Sequence, residues 1–232
     1  MTESDSWICF TCEPGEPAWN MAADEAMLGL ATVFNTPVLR FYDWTIPAAT
    51  FGYFQRHADV ENMTRLRPLI RRTTGGGLVP HEGDWTYSLT VPPDHEWFHL
   101  KAEESYRRVH EWVRDALDPL GLGSALAECC DPALPGQCFV GAEKHDLIYK
   151  GGKIAGAAQR RSKQGLLIQG SLQLLGVDLQ RSEWENSMIT VAGAEWGVTF
   201  RSEALSDNPA LRTRIQLLAE QKFSTEAHNC RR

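Results

Sequence analysis

The stretch GQCFVGAEKHDLIYKGGKIAGAAQRR, Gly136 to Arg161, puts Cys138 just ahead of a tight hairpin and Lys153 at its turn. A thiol close to an amine is one way to make a nucleophile. The thiolate is the reactive form, and a free cysteine with a pKa near 8.5 is little ionised at pH 7. An ammonium about 4 Å away would favour the thiolate by up to ~4 kcal/mol at an effective dielectric of 20. The competing reading makes Cys138 a small buried hydrophobe, as most free cysteines are, and Lys153 a solvated turn lysine. Cys129 and Cys130 lie in the same Pro/Gly-rich loop, ECCDPALPGQ, and are rival nucleophiles.

A second stretch with chemical content is RRTTGGGLVPHEGDWTYSL, Arg71 to Leu89. Three consecutive glycines let backbone N–H groups approach a phosphate, a carboxylate or an extended chain. The alternative is a flexible surface turn. Neither a P-loop Lys-Ser/Thr nor G-x-G-x-x-G is present, so those nucleotide-binding mechanisms are excluded. His81, just after the glycines, reads as a core histidine or a site residue.

These residues need a frame. WICFTC alternates like a strand, with Cys9 and Cys12 on opposite sides; this C-x-x-C has no second pair or histidines to complete four zinc ligands. AWNMAADEAMLGLATVF is rich in helix formers, with Met21, Ala22, Glu25 and Leu28 along one face. TPVLRFYDW and AATFGYFQR read as strands, with Gly52 marking a bulge or a close approach. RPLIRR and DWTYSLTVP read as two sheet strands joined by the glycine loop. EESYRRVHEWVRDALDPLGL predicts a helix with an apolar stripe of Tyr106, Val109, Trp112, Val113, Ala116 and Leu120, ended by Pro119, Gly121 and Gly123. HDLIYK, KIAGAAQR and GLLIQGSLQLL predict three short strands, the first two joined at Gly151-Gly152, where both turn positions can take positive φ. PALRTRIQLLAEQKF predicts a last helix. Hairpins rather than repeated βαβ units favour an α+β fold with a mixed, largely antiparallel sheet.

The chain has 232 residues, 43% of them hydrophobic and 23% charged, as expected for a globular protein. One domain over 1–232 is expected. No apolar run is long enough to span a bilayer and the N-terminus carries no apolar signal core, so a cytoplasmic protein without disulfides is expected. The formal net charge of −7 argues against a sequence-general nucleic-acid binder. Basic residues nevertheless cluster at Arg65, Arg67, Arg71 and Arg72, and again at Arg160, Arg161 and Lys163. These are either solvated faces or docking points for an acidic partner or an anionic cofactor arm.

RRTTGGGLVPHEGDWTYSL together with GGKIAGAAQRR resembles the lipoate/biotin protein ligase superfamily. The likeness is nearest to its cysteine-dependent branch, the octanoyltransferases that act with the glycine cleavage H protein. AWNMAADEAML, VLRFYDW, TFGYFQ and LAEQKFSTEAHNCRR extend it over nearly the whole chain. The resemblance implies a catalytic domain in which the glycine loop and the lysine hairpin flank a narrow pocket for an eight-carbon acyl chain. Thr74, Gly75, Gly76, Gly77, Leu78, Val79, Pro80 and His81 would line it, as would Gly156, Ala157 and Ala158, with Gly170, Ser171 and Leu172 closing the far side. Burying six or seven methylenes at about 0.8 kcal/mol each would contribute roughly 5 kcal/mol. Cys138-Phe139 matches the family's Cys-Phe pair and Lys153 its lysine. By that match Cys138 takes the octanoyl group from an acyl carrier protein as a thioester, and Lys153 lowers its pKa and steadies the oxyanion. The lysine of a lipoyl domain or glycine cleavage H protein then removes the acyl group as an amide. Neither step needs a cofactor, nucleic acid or membrane, and a monomer suffices.

Two positions depart from the family's pattern. Gly77 stands where the transferase branch often has arginine, and Gln169 where a histidine usually precedes Gly-Ser. The alternative is a lipoate–protein ligase, which would use ATP and Mg in the same pocket and need no cysteine. A further alternative is a non-catalytic acyl- or carrier-binding protein.

Overall fold

Alternation in the first strand decides the layers. In β1 (Ser6–Thr11), Trp7 and Cys9 enter one apolar cluster while Ile8 and Phe10 enter another. A strand buried on both sides must lie inside a sheet covered on both faces. The computed structural model describes residues 6–130, 139, 141–174 and 176–231. Within them follow β2 (Val38–Tyr42), β3 (Ala48–Phe51), β4 (Leu69–Arg71), β5 (Val79–His81), β6 (Trp85–Val91), β7 (Ala125–Leu126), β8 (Leu147–Tyr149), β9 (Gly152–Ser162), β10 (Gly165–Leu172) and β11 (Thr199–Ala204).

The large sheet runs β11-β1-β2-β6-β10-β9-β8-β7, and a small one runs β4-β3-β5. β11–β1 and β1–β2 are parallel, whereas the remaining pairs of the large sheet are antiparallel. The fold is therefore α+β with a mixed, largely antiparallel sheet. The helices Ala102–Leu117 and Arg181–Trp196 cover one face of the large sheet through Val109, Trp112, Val113, Trp184 and Met188. Pro17–Gly29 and Pro209–Leu218 cover the other through Met21, Ala26, Leu211 and Ile215. The small sheet has its own cluster of Ala49, Phe51, Val60, Leu69 and Leu78. None of the described helices is long and apolar enough to cross a membrane.

Several local expectations change. The two strands expected to be joined by the glycine loop, β4 and β6, belong to different sheets, because β5 intervenes and pairs with β3. The hairpin turn is Lys150-Gly151, with φ of 50° and 80°, rather than Gly151-Gly152. Tyr149 pairs with Gly152, so the second glycine already belongs to β9. Lys153 is consequently a strand residue. The helix Pro17–Gly29 is buried on more than the expected stripe. Glu25 pairs with Lys222 at its edge, while Asn20 and Asp24 are fully buried. Arg71 and Arg72 are buried as well, so neither is a solvated face. Arg71 donates to the carbonyls of Tyr53, His228, Asn229 and Arg231, tying the tail to the start of the glycine loop. Cys9 and Cys12 do fall on opposite sides of the sheet, against different clusters.

Candidate active site

A narrow slot opens where the small sheet meets β9 and β10 of the large one. Its lining includes Thr50, Val79 and His81 from the small sheet and Lys153, Gly156, Ala157, Ala158, Gln169, Gly170 and Ser171 from the large one. Met21, Tyr42, Arg72, Thr86 and Phe139 complete it.

On the β9 wall the key feature is a bulge. Leu147 pairs with Ala155 while Ile148 pairs with Lys153, so β9 carries one extra residue, Ile154. A bulge switches the parity of the residues beyond it. Lys153 and Gly156, an odd number apart, thereby meet: a Cβ on Gly156 would lie 2.8 Å from Lys153 Nζ and 3.2 Å from Asp146 Oδ1. Lys153 Nζ sits 2.6 Å from Asp146 Oδ2, with the two side chains 6% and 0% exposed. Asp146 also accepts from the Glu143 backbone N–H at 2.6 Å and from the Tyr106 hydroxyl. That hydroxyl in turn accepts from the Ala157 N–H at 3.3 Å. Burial, and then the Asp146 charge, raise the Tyr106 phenol well above its ordinary pKa. Behind Tyr106, burial lowers the His110 imidazole to about 4. The Phe139 ring lies 5.1 Å from Lys153 Nζ.

The opposite wall is built on Asp84. Three donors converge on its Oδ2: His81 Nδ1 at 2.9 Å, the Thr86 hydroxyl at 2.9 Å and the Ser171 hydroxyl at 2.6 Å. Its Oδ1 is buried without a partner among the described residues. Burial opposes its ionisation, yet His81 and the two hydroxyls together hold its carboxyl below the usual range. His81 Nε2 meets Thr50 Oγ1 at 2.8 Å, and Arg72 Nη1 donates to the same oxygen at 2.9 Å. Trp44 stacks on the imidazole at 3.8 Å and donates to Thr86 Oγ1.

A third buried carboxylate lies below. Asp24 accepts from Arg40 at 3.0 Å, Tyr42 at 2.9 Å, Ser88 at 2.7 Å and Gln169 at 2.6 Å. Gln169 also accepts from the Thr74 hydroxyl at 2.7 Å, so this glutamine links the glycine loop to the first helix.

The expected site residues divide accordingly. Val79, His81, Lys153, Gly156, Ala157, Ala158, Gly170 and Ser171 line the slot. Thr74, Gly75, Gly76, Gly77, Leu78, Pro80 and Leu172 are not part of that lining. Gly75 and Gly77 offer carbonyls to Arg72, Pro80 offers one to Gln173, and Leu78 and Leu172 pack in apolar clusters. Gly76 comes so near Gly52 that a Cβ there would lie 1.9 Å from the Gly76 oxygen, which is the close approach Gly52 predicts. Gly170 makes room for a protein side chain, since its Cβ would fall 2.2 Å from the Tyr87 ring. Cys138 lies outside the described residues. Cys129 and Cys130 are exposed, and Cys130 Sγ lies 3.1 Å from Glu143 Oε2.

Sequence reasoning missed Asp24, Thr50, Asp84 and Asp146, and counted Tyr106 only as part of an apolar stripe. One signal was available: Asp84 follows His81 by three residues in HEGDW, within reach across a tight turn.

Comparison with known proteins gives this arrangement a family. The octanoyltransferase LipM of Bacillus cereus is 34% identical over 184 residues, covering 73% of this chain and 66% of that protein. The chain thus spans just under two thirds of that relative's length. The octanoyltransferase LipM of Staphylococcus aureus is 31% identical over 192 residues, covering 75% of this chain and 68% of that protein. Protein Ta0514 from T. acidophilum with bound lipoic acid superposes with a TM-score of 0.78 at 24% identity, over 97% of this chain and 98% of that one. That likeness speaks for the fold. The model of the lipoyl protein ligase A/B catalytic domain matches residues 16–194, and the chain belongs to that family.

Proposed function

We propose that the protein is an octanoyltransferase of protein lipoylation, working through a thioester on Cys138. In the first half-reaction the Cys138 thiolate attacks the carbonyl of an octanoyl-acyl carrier protein, and the carrier thiol leaves. In the second, the lysine amine of a lipoyl domain or glycine cleavage H protein attacks the new thioester, an amide forms, and Cys138 is released. No oxidant, nucleotide or metal enters either step.

The observation that carries this reading is the buried Lys153 ammonium at the slot, in a chain 34% identical to a named octanoyltransferase. A turn lysine kept for solubility would be exposed. This one is enclosed by Asp146 on one side and the Phe139 ring on another. Phe139 is the residue that follows Cys138, so its place in the slot lining supports the pairing of thiol and amine. An ammonium that has one carboxylate partner still has N–H groups to turn towards a thiolate or a developing oxyanion.

Intact-mass measurement after incubation with octanoyl-acyl carrier protein tests the scheme. An octanoyl adduct is expected that hydroxylamine removes and that Cys138→Ser prevents. Modification of a lipoyl domain that requires ATP and lipoate and survives Cys138→Ser would overturn it in favour of a ligase.

A further inference from the structure

The second half-reaction has a requirement that Lys153 does not meet. An acceptor lysine, with an ordinary pKa near 10.4, reaches the slot as an ammonium and must lose a proton before it can attack. Lys153 is itself a cation engaged with Asp146. The opposite wall carries what is lacking.

With His81 neutral, the hydrogen bonds fix which atom holds which proton. A carboxylate only accepts, so the His81 Nδ1 proton points at Asp84 Oδ2. Nε2 is then the lone-pair nitrogen, and the hydroxyl facing it at 2.8 Å must donate. Thr50 can do so because Arg72, which is donor only, already supplies a proton to the Thr50 oxygen. The order Arg72→Thr50→His81→Asp84 is the one consistent assignment when His81 is neutral. It is a hydroxyl–imidazole–carboxylate chain, and both Thr50 and His81 line the slot. Trp44 stacked on the ring holds its plane.

We infer that this chain is a proton relay for the acceptor amine, an inference that rests on amide formation at a lysine in this slot. The Thr50 oxygen takes a proton from the incoming ammonium while its own proton passes to His81 Nε2. The amine nitrogen keeps its electron pair and attacks the acyl carbon. The resulting imidazolium is stabilised by Asp84 until its proton returns through Thr50 to water, and the second proton that the nitrogen sheds as the amide forms goes to the departing Cys138 sulfur. Thr50 is the contact group, His81 the proton acceptor and Asp84 the residue that positions it. The charged groups facing this chain are Asp84 at Nδ1, Arg72 beyond the hydroxyl, and Lys153 with Asp146 on the other wall.

The test separates loading from transfer. Enzyme is loaded with octanoyl-acyl carrier protein, the adduct is quantified by intact mass, and a lipoyl domain is added across pH 6 to 10. Thr50→Val and His81→Gln are expected to slow transfer about 100-fold or more near neutral pH, the range that general-base catalysis supplies, and to lose far less in loading, which deprotonates no ammonium. The deficit should shrink as pH approaches the range in which the acceptor lysine ionises unaided, and Thr50→Ser should restore transfer to within a few-fold. A deficit equal at every pH, or equal loss of loading and transfer, would reduce the chain to a structural clasp and overturn the relay. Should wild type form no adduct yet modify the domain with ATP and lipoate, the thioester reading fails. The relay is then judged on the same transfer profiles, because the acceptor amine is unchanged.

Discussion

The two walls of the slot both bury a carboxylate, but for opposite purposes. On the β9 wall, Asp146 holds a fixed cation: Lys153 is pressed into the space left by Gly156. On the small-sheet wall, Asp84 orients an imidazole whose far nitrogen meets a hydroxyl. One arrangement suits steadying negative charge on sulfur or oxygen; the other suits moving a proton. The difference shows that burial alone does not define a carboxylate's role. What it faces, a permanent charge or a titratable ring, does.

Removing the carboxylate from each wall should break the comparison most sharply. Asp146→Asn leaves the Lys153 ammonium buried without its counter-charge and should cost roughly 3–5 kcal/mol. Asp84→Asn leaves the His81 ring and two hydroxyls without the carboxylate they share, and should cost about 1–3 kcal/mol. Urea unfolding of the two variants decides the order, and equal losses would mean that the walls are alike.

Acid should separate the walls next. His110, behind the Lys153 wall, has its folded pKa lowered by burial to about 4 from an ordinary 6.5. The unfolded chain therefore binds the proton first. The stabilisation from keeping this ring neutral is complete above pH 6.5 and is lost as pH falls towards 4, about 2 kcal/mol of it by pH 5. Asp84 also has a depressed folded pKa. Its contribution is complete above the ordinary aspartate value near 3.9 and fades only as pH falls below it. Unfolding free energies at pH 7.5 and 5, in wild type and His110→Gln, should show the first loss in wild type and a smaller one in the variant.

Gly156→Ala should shift stability by only about 1 kcal/mol, since the far end of a flexible lysine can move. It should nonetheless lower acyl-enzyme formation at least tenfold, because the amine is what moves. The smallest effect is expected at Gly75→Ala, whose added methyl meets nothing within 4 Å. Thermal unfolding within about 0.5 kcal/mol of wild type would show that this glycine is not required by packing.

Legibility from the sequence followed residue type. Lysine beside a hairpin, a run of glycines and a histidine after it are uncommon enough to be noticed, and all eight strands read from WICFTC to GLLIQGSLQLL formed close to where the sequence pattern put them. Asp24, Asp84 and Asp146 were silent, because one aspartate in an otherwise ordinary stretch reads as surface until the fold surrounds it. β11, with sequence TFRSEA, is a half-exposed edge strand with no apolar alternation to reveal it. The helix Arg181–Trp196 buries only Trp184, Met188 and Ala192, one turn apart, so its apolar stripe is thin. Gly156 and Gly170 were read as clearance for an acyl chain. The structure fills those spaces with Lys153 and Tyr87.

The extra residue in β9 makes the position of the amine a matter of counting. Side chains along a strand alternate, so parity decides which of two neighbours faces inward. Were Ile154 instead paired in regular alternation opposite Ile148, Lys153 and Gly156, an odd number apart, would face opposite sides of the sheet, although every lining residue kept its identity. A change of pairing at this one place, rather than any substitution, is therefore the simplest way for such a chain to keep its fold and abandon its chemistry.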